Sequence, residues 1–216
     1  MATSSRRSRR TAALIAAALV SGVAAAIAVA AAPSGRSGAR ASAGAQGGGR
    51  GAPADAFSQL AARPAPGGWV SATIASGTAT LFYPPGWKPI PGDRGTVTAS
   101  LRDNAGRYRG YLNVTPRQGE EQLAGWAAFR TGRNRSEGDA NVRLVASAEN
   151  LSIAGARASC VIDDYLSRVG AHPYRELACI LAGPRATNVF VGAALLSDWP
   201  TLGPVIDRSA SALVEL

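Results

Sequence analysis

Apolar residues fall into two regimes along this chain. Residues 11–32 contain no charged side chain, and Leu14, Ile15, Leu19, Val20, Val23, Ile27 and Val29 are spread through an alanine background. That stretch is long enough to cross a hydrocarbon layer as a helix. Beyond Trp69 the apolar runs become short and are interrupted by turn residues, the pattern of a folded domain. Between the two, residues 33–67 are mostly Gly, Ala, Ser and Pro, with Phe57 and Leu60 as the only large apolar side chains. Such a segment buries too little surface to offset the entropy of ordering it. A disordered linker is expected there, with a short helix around Phe57 and Leu60 as the alternative.

The period of the apolar positions orders the rest. Residues 78–83 read as a strand stopped by Pro84-Pro85-Gly86, after which Trp87 folds back over the sheet. Residues 96–102 and 107–115 pair as a hairpin across Asp103-Asn104-Ala105-Gly106, where Asn and Gly supply positive φ. Residues 120–130 predict a helix: Glu120 and Glu121 suit its positive end, Leu123, Trp126 and Ala127 share one face, and Gly132 ends it. Residues 142–153, 156–168, 174–181 and 187–196 are four further strands, the last apolar almost throughout, as a central strand is. A closing helix starts at Pro200 and buries Leu202, Val205, Ile206, Ser209 and Leu213. The order β-β-β-α-β-β-β-β-α has short connections, so successive strands run antiparallel. Residues 68–216 are therefore expected to form an α+β domain, an antiparallel sheet of about seven strands covered by two helices.

Charge changes the picture of the leader more than that of the domain. The net charge of +9 would ordinarily suggest a nucleic-acid partner. Residues 1–67 hold eight arginines against Asp55 alone, a net of +7, whereas residues 68–216 hold 15 basic and 13 acidic side chains, a net of +2. The domain carries no basic footprint, and nucleic acid is disfavoured. Arg6, Arg7, Arg9 and Arg10 precede the apolar segment, which keeps residues 1–10 cytoplasmic and places everything after residue 32 outside. Ala28-Val29-Ala30 offers a small-residue cleavage site. The expected location is thus the cell membrane, single-pass with the C-terminal domain outside and the membrane as partner through residues 11–32. The alternative is secretion after cleavage near Ala30. Both cysteines lie far downstream, so no N-terminal thiol is available for acylation.

Outside the membrane those two cysteines are free to oxidise. If the hairpin between residues 156–168 and 174–181 turns at Val169-Gly170, opposed residues have numbers summing to 339. Cys160 then faces Cys179, Ile162 faces Leu177 and Asp164 faces Arg175, with Tyr165 opposite Tyr174 on the other side. A one-residue slip breaks every match. A disulfide between Cys160 and Cys179 is expected, with two buried thiols as the alternative.

Catalytic chemistry leaves few traces. His172 is the only histidine and stands in a turn with no nucleophile to activate. The same register sets Asp163 across from Glu176, and with Asp164 these carboxylates are the candidate site for a hydrolase or transferase. The competing reading of the facing pair is a surface pair satisfied by arginines from neighbouring strands, with calcium between the two carboxylates as a lesser alternative. No metal or cofactor is expected. Trp69 and Trp87 flank the first strand in Gly/Pro-rich loops and, with Tyr83, form a candidate binding surface.

Leu81-Phe82-Tyr83-Pro84-Pro85-Gly86-Trp87, Trp126, Leu151-Ser152-Ile153-Ala154-Gly155 and Asp198-Trp199 together resemble the PsbP-like superfamily over about residues 76–216. That superfamily includes an extrinsic photosystem II protein, a Ran-binding nuclear protein and cell-envelope proteins of actinobacteria, the last being the type this chain resembles. The resemblance implies an interaction module rather than an enzyme, and none of the matched positions is a binding motif to carry over. The missing N-terminal cysteine departs from lipid-anchored envelope relatives. The expected function is a tethered extracytoplasmic module that binds another envelope protein or wall component. The alternatives are the carboxylate enzyme and a purely structural envelope protein.

Overall fold

The computed structural model describes residues 53–216. The basic start, the apolar segment 11–32 and the linker as far as residue 52 lie outside the described residues. Among the described residues no helix is long and apolar enough to cross a membrane.

The elements in chain order are a 3-10 helix at Pro53–Leu60, then β1 (Val70–Thr73), β2 (Ala79–Tyr83), β3 (Lys88–Ile90), β4 (Val97–Arg102) and β5 (Tyr108–Pro116). Helix α1 (Trp126–Ser136) follows, then β6 (Ala140–Ile153), β7 (Ala156–Leu166), β8 (Pro173–Ala182) and β9 (Thr187–Leu195), helix α2 (Trp199–Ala212) and β10 (Val214–Glu215). Seven strands form one antiparallel sheet in the order β3-β4-β5-β9-β8-β7-β6, and β1, β2 and β10 form a small second sheet. The α+β architecture with two helices on a seven-stranded sheet is the expected one, but its strand list is not. The strand at 78–83 lies in the small sheet, and β3 takes the seventh place. The turn Pro84-Pro85-Gly86, closed by the Trp87 N–H on the Pro84 carbonyl at 3.0 Å, separates the two sheets at that point.

The linker expectation also needs correction at its end. Phe57 and Leu60 are 4% and 2% exposed and belong to the main core. Residues three apart eclipse on a 3-10 helix, so this one turn presents both side chains together to α2 and β6. The folded unit therefore begins before residue 68.

Between β7 and β8 the register is the one the 339 sum requires. Cys160 faces Cys179, Ile162 faces Leu177, Asp163 faces Glu176, Asp164 faces Arg175 and Tyr165 faces Tyr174. The two cysteines form a disulfide closing a separation of 19 residues, with each 1% exposed. Loop closure of that length contributes about 3 kcal/mol in the chain-entropy account.

Central strands β8 and β9 are buried on both faces. One face meets α2 and the small sheet, where Leu81, Leu112, Cys160, Leu177, Phe190 and Ile206 pack together. The other meets α1, where Trp126 packs on Val161, Ala178, Ile180, Val189 and Val191. The approach of α2 is close at Gly192 on β9, where a Cβ would lie 2.4 Å from Ile206 Cγ2, so only glycine fits there.

Helix α1 starts and ends six residues later than expected. Gly125 at its start has φ of 71°, a left-handed conformation that favours glycine. Glu121 lies before the helix and accepts the Gln118 N–H at 2.6 Å in a turn, and Gly132 sits inside the helix rather than after it. Helix α2 agrees with expectation at Leu202, Ile206 and Ser209, all buried, while Val205 is half-buried.

Phe57→Ala should destabilise the domain by about 3 to 5 kcal/mol, the usual loss for a buried Phe, measured by chemical unfolding. A change under about 0.5 kcal/mol, normal for a surface site, would show that the 3-10 helix is not part of the folded unit.

Candidate functional site

Alternation along β7 sends Asp163 and Tyr165 toward α1 and Asp164 toward the opposite face. Asp163 lies across from Glu176 on β8, and both are 0% exposed. Two opposed carboxylates repel unless something intervenes. Helix α1 supplies it. Arg130 donates through Nε and Nη2 to the two oxygens of Glu176 at 2.6 and 2.8 Å, and the Tyr111 hydroxyl on β5 donates to the same carboxylate at 3.2 Å. Asn134 Nδ2 donates to Asp163 Oδ2 at 2.9 Å, while Asp163 Oδ1 is buried without a partner. Trp126 Nε1 donates to the Ala178 carbonyl at 3.0 Å. Trp126, Arg130 and Asn134 are spaced i, i+4, i+8, one stripe of a helix. Each of them contacts β7 or β8.

Electrostatics follow from this enclosure. Burial, and then the neighbouring Glu176, push the Asp163 carboxyl up to about 7. Burial alone would lower the Arg130 guanidinium, but Glu176 beside it holds it well above its ordinary value. Burial and the adjacent carboxylate raise Tyr111, and burial followed by Tyr111 raises Tyr165, so both phenols stay protonated. On the other face, burial would raise Asp164, but Arg175 and Arg143 hold it below the ordinary carboxylate range. Arg175 donates Nε at 2.7 Å and Nη2 at 3.0 Å, and Arg143 donates from β6.

The acidic group is therefore brought together but divided between two faces. Arg175 and Arg143, from the neighbouring strands, satisfy Asp164. Asp163 and Glu176 depart from the expected surface pair. They are buried, and their partners come from α1: Arg130 on Glu176 and Asn134 on Asp163. Among the described residues no group of three or more His, Cys, Asp and Glu is assembled that could hold a metal ion. A carboxyl titrating near 7 suits acid-base chemistry, yet no surface of Asp163 or Glu176 is open to a substrate.

His172 is exposed in the β7–β8 turn, where its N–H donates to Ser167 Oγ at 3.1 Å. The aromatic surface also requires correction. Tyr83 and Trp87 are 4% exposed each and sit in the core, and Trp69 is half-buried. Trp87 folds back after the Pro-Pro-Gly turn and lies over Gly110 of β5, so the loop displays backbone rather than indole.

Sequence reasoning missed Arg130, Asn134 and Tyr111 as partners of the acids, and it missed a cleft. Between the 3-10 helix and α2 a cavity of about 290 Å³ is lined by Gln59, Arg63, Pro204, Asp207, Arg208 and Ser211. The only hint in the sequence is the α2 stripe Pro204, Asp207, Arg208 and Ser211, at i, i+3, i+4 and i+7.

No protein-family model and no curated protein matches the chain. Among solved structures it is similar to a cyanobacterial PsbP, CyanoP from a Synechocystis species, at 17% identity, covering 69% of this chain and 93% of that one with a TM-score of 0.50. LpqN of Mycobacterium tuberculosis, described as involved in cell envelope biogenesis, is 13% identical, covering 68% of this chain and 89% of that one with a TM-score of 0.43. A Saccharomyces cerevisiae Ran-binding protein is 9% identical, covering 66% and 87% with a TM-score of 0.42. The similarity to CyanoP shows that the domain has a PsbP-like fold, the fold that the resemblance in the sequence implied.

A carboxyl whose folded pKa lies above its unfolded value binds its proton more tightly in the native state. Asp163 thus opposes folding increasingly as pH rises from its ordinary 3.8 toward about 7. Asp163→Asn should match the parent protein near pH 4 and exceed it in stability at pH 8, as read by urea unfolding across pH. A difference that does not vary with pH would contradict the assignment.

Proposed function

We propose that this chain is an extracytoplasmic, non-enzymatic binding or assembly module, held at the membrane by residues 11–32, whose partner is another envelope protein or wall component. The observation that carries the reading is the fate of the carboxylates. Asp163, Asp164 and Glu176 are the strongest catalytic candidates in the sequence, and each is committed to holding the sheet or α1 in place. Glu176 is clamped by Arg130 and Tyr111, Asp164 by Arg143 and Arg175, and Asp163 by Asn134. A hydrolase or transferase built on them would need a substrate to displace Arg130 from Glu176 beneath α1, Asn134 from Asp163, or Arg143 and Arg175 from Asp164. The PsbP-like fold is compatible with an interaction role, and a buried disulfide suits an oxidising compartment outside the cytoplasm. The positive charges before residue 11 orient the domain outward.

Crosslinking in cells, followed by mass spectrometry of the captured full-length chain, tests this directly. The binding reading expects one envelope partner recovered reproducibly, with crosslinks mapping to the domain. Recovery of the chain alone, from intact cells that retain its function, would favour the purely structural reading. Loss of function in Asp163→Asn, with melting temperature and partner capture intact, would restore the enzyme.

A further inference from the structure

Strand β10 closes the small sheet over a carboxylate that has too few partners. Its two residues pair with β2, Val214 opposite Thr80 and Glu215 opposite Ala79, and the Leu216 N–H donates to the Thr78 carbonyl at 2.9 Å. Side chains alternate along a strand, so Val214 faces outward, 40% exposed, and Glu215 faces inward, 8% exposed. Asn188 Nδ2 on β9 donates to Glu215 Oε2 at 2.6 Å. Thr78 Oγ1 donates to Asn188 Oδ1 at 3.1 Å, which turns the amide toward the acid. Glu215 Oε1 is buried without a partner. The β8–β9 turn packs on the same side chain, where a Cβ on Gly183 would lie 3.0 Å from Oε2. Of the titratable groups on these elements, β2 carries only the buried Tyr83, β9 carries none, and the β8–β9 turn carries only the exposed Arg185. On α2, which packs on β2, Asp207 and Arg208 line the cleft toward the 3-10 helix. None of them forms an ion pair with Glu215. Burial pushes the Glu215 carboxyl up to about 7, and only the Asn188 bond acts against it.

We infer that β10 is a pH-sensitive latch: it closes on β2 while Glu215 is protonated, and ionisation of Glu215 releases it, uncovering Asn188 and the β2 edge at Ala79 and Thr80. Neutral Glu215 leaves one hydroxyl unmet, whereas ionised Glu215 leaves a charged oxygen buried with no donor, which costs more. Carrying that charge into water requires β10 to leave β2. Little opposes the move, since β10 holds β2 through two residue pairs against the four that join β1 to β2. Local opening of so small a unit is easier than unfolding the domain. The closed strand binds the Glu215 proton more tightly than the open one. Closure is therefore strongest below the ordinary 4.5, weakens as pH rises toward about 7, and levels off beyond it. The latch is independent of any binding role of the domain.

Amide hydrogen exchange of the full-length chain in detergent, measured from about pH 5 to about pH 8 and corrected for the intrinsic pH dependence of exchange, tests the latch. Protection at Val214–Leu216 should fall about tenfold per pH unit between about pH 5 and 7 and then level off, as one proton requires. Amides of β8, at the centre of the large sheet, should stay better protected than those of β10 throughout, since they open only with the whole domain. In Glu215→Gln, which keeps the acceptor for Asn188 but cannot ionise, protection of β10 should stay flat across the range. The slope that Asp163 imposes on whole-domain unfolding should persist in β8 of that variant. Three results would each overturn the latch: β10 protection that does not change with pH, a β10 slope that survives in Glu215→Gln, or β10 exchanging as slowly as β8. The pH series on the parent chain decides the matter even if the variant does not fold.

Discussion

The register between β7 and β8 governs this molecule. Side chains alternate with a period of two along a strand, so a shift of one residue would exchange the two faces of the sheet. In the observed register Cys160 and Cys179 meet on the α2 face and close a disulfide. The same register sets Asp163 opposite Glu176 on the α1 face and Asp164 opposite Arg175 on the other. The disulfide and the acid pair are two consequences of one alignment. The covalent bond holds the alignment that keeps two carboxylates face to face.

That arrangement carries an electrostatic cost, which α1 offsets. A buried ion pair is weak evidence for stability, because desolvating both ions consumes much of their attraction. Its value here is positional. Trp126, Arg130 and Asn134 place four directional bonds along one stripe of α1 and so set the rotation and axial position of the helix on the sheet, which apolar packing alone specifies less sharply. Asp163 sits nearest the margin of what the site can satisfy, with one oxygen unpaired and a pKa near 7. The acids most suited to chemistry by residue type are the ones the fold uses as anchors.

Much of this was legible in the sequence because it depends on local period. The β7–β8 pairing follows from one turn and from alternation, and the buried face of α2 follows from helical spacing at Leu202, Ile206 and Ser209. What was not legible depends on partners distant in the chain. Arg130 is 46 residues from Glu176, and nothing in its neighbourhood marks it as a buried cation. The limits of α1 were missed for the same reason: the helix runs through Gly132 to bring Asn134 over Asp163, a long-range constraint that local propensity does not contain. Strands β1, β3 and β10 have four, three and two residues, too few to show a period, and Pro89 lies within β3. Phe57 and Leu60 were hidden by composition, since two apolar residues among Gly, Ala, Ser and Pro read as linker until α2 is present to receive them. Trp87 folds back over the sheet as its Pro-Pro-Gly turn implies, but it and Tyr83 are then buried between the two sheets rather than displayed as a binding surface, a packing that only the second sheet decides.

The central claim is that the carboxylates beneath α1 hold the helix rather than perform chemistry. A double-mutant cycle between Arg130→Met and Glu176→Gln, read as unfolding free energy at pH 7, tests it most directly. Each single change should cost about 3 to 5 kcal/mol by leaving a buried charge unpaired. The double variant should cost less than their sum by well over about 1 kcal/mol. Single effects that add to within about 0.5 kcal/mol would mean that the arginine does not hold the acid in solution, and would contradict the account.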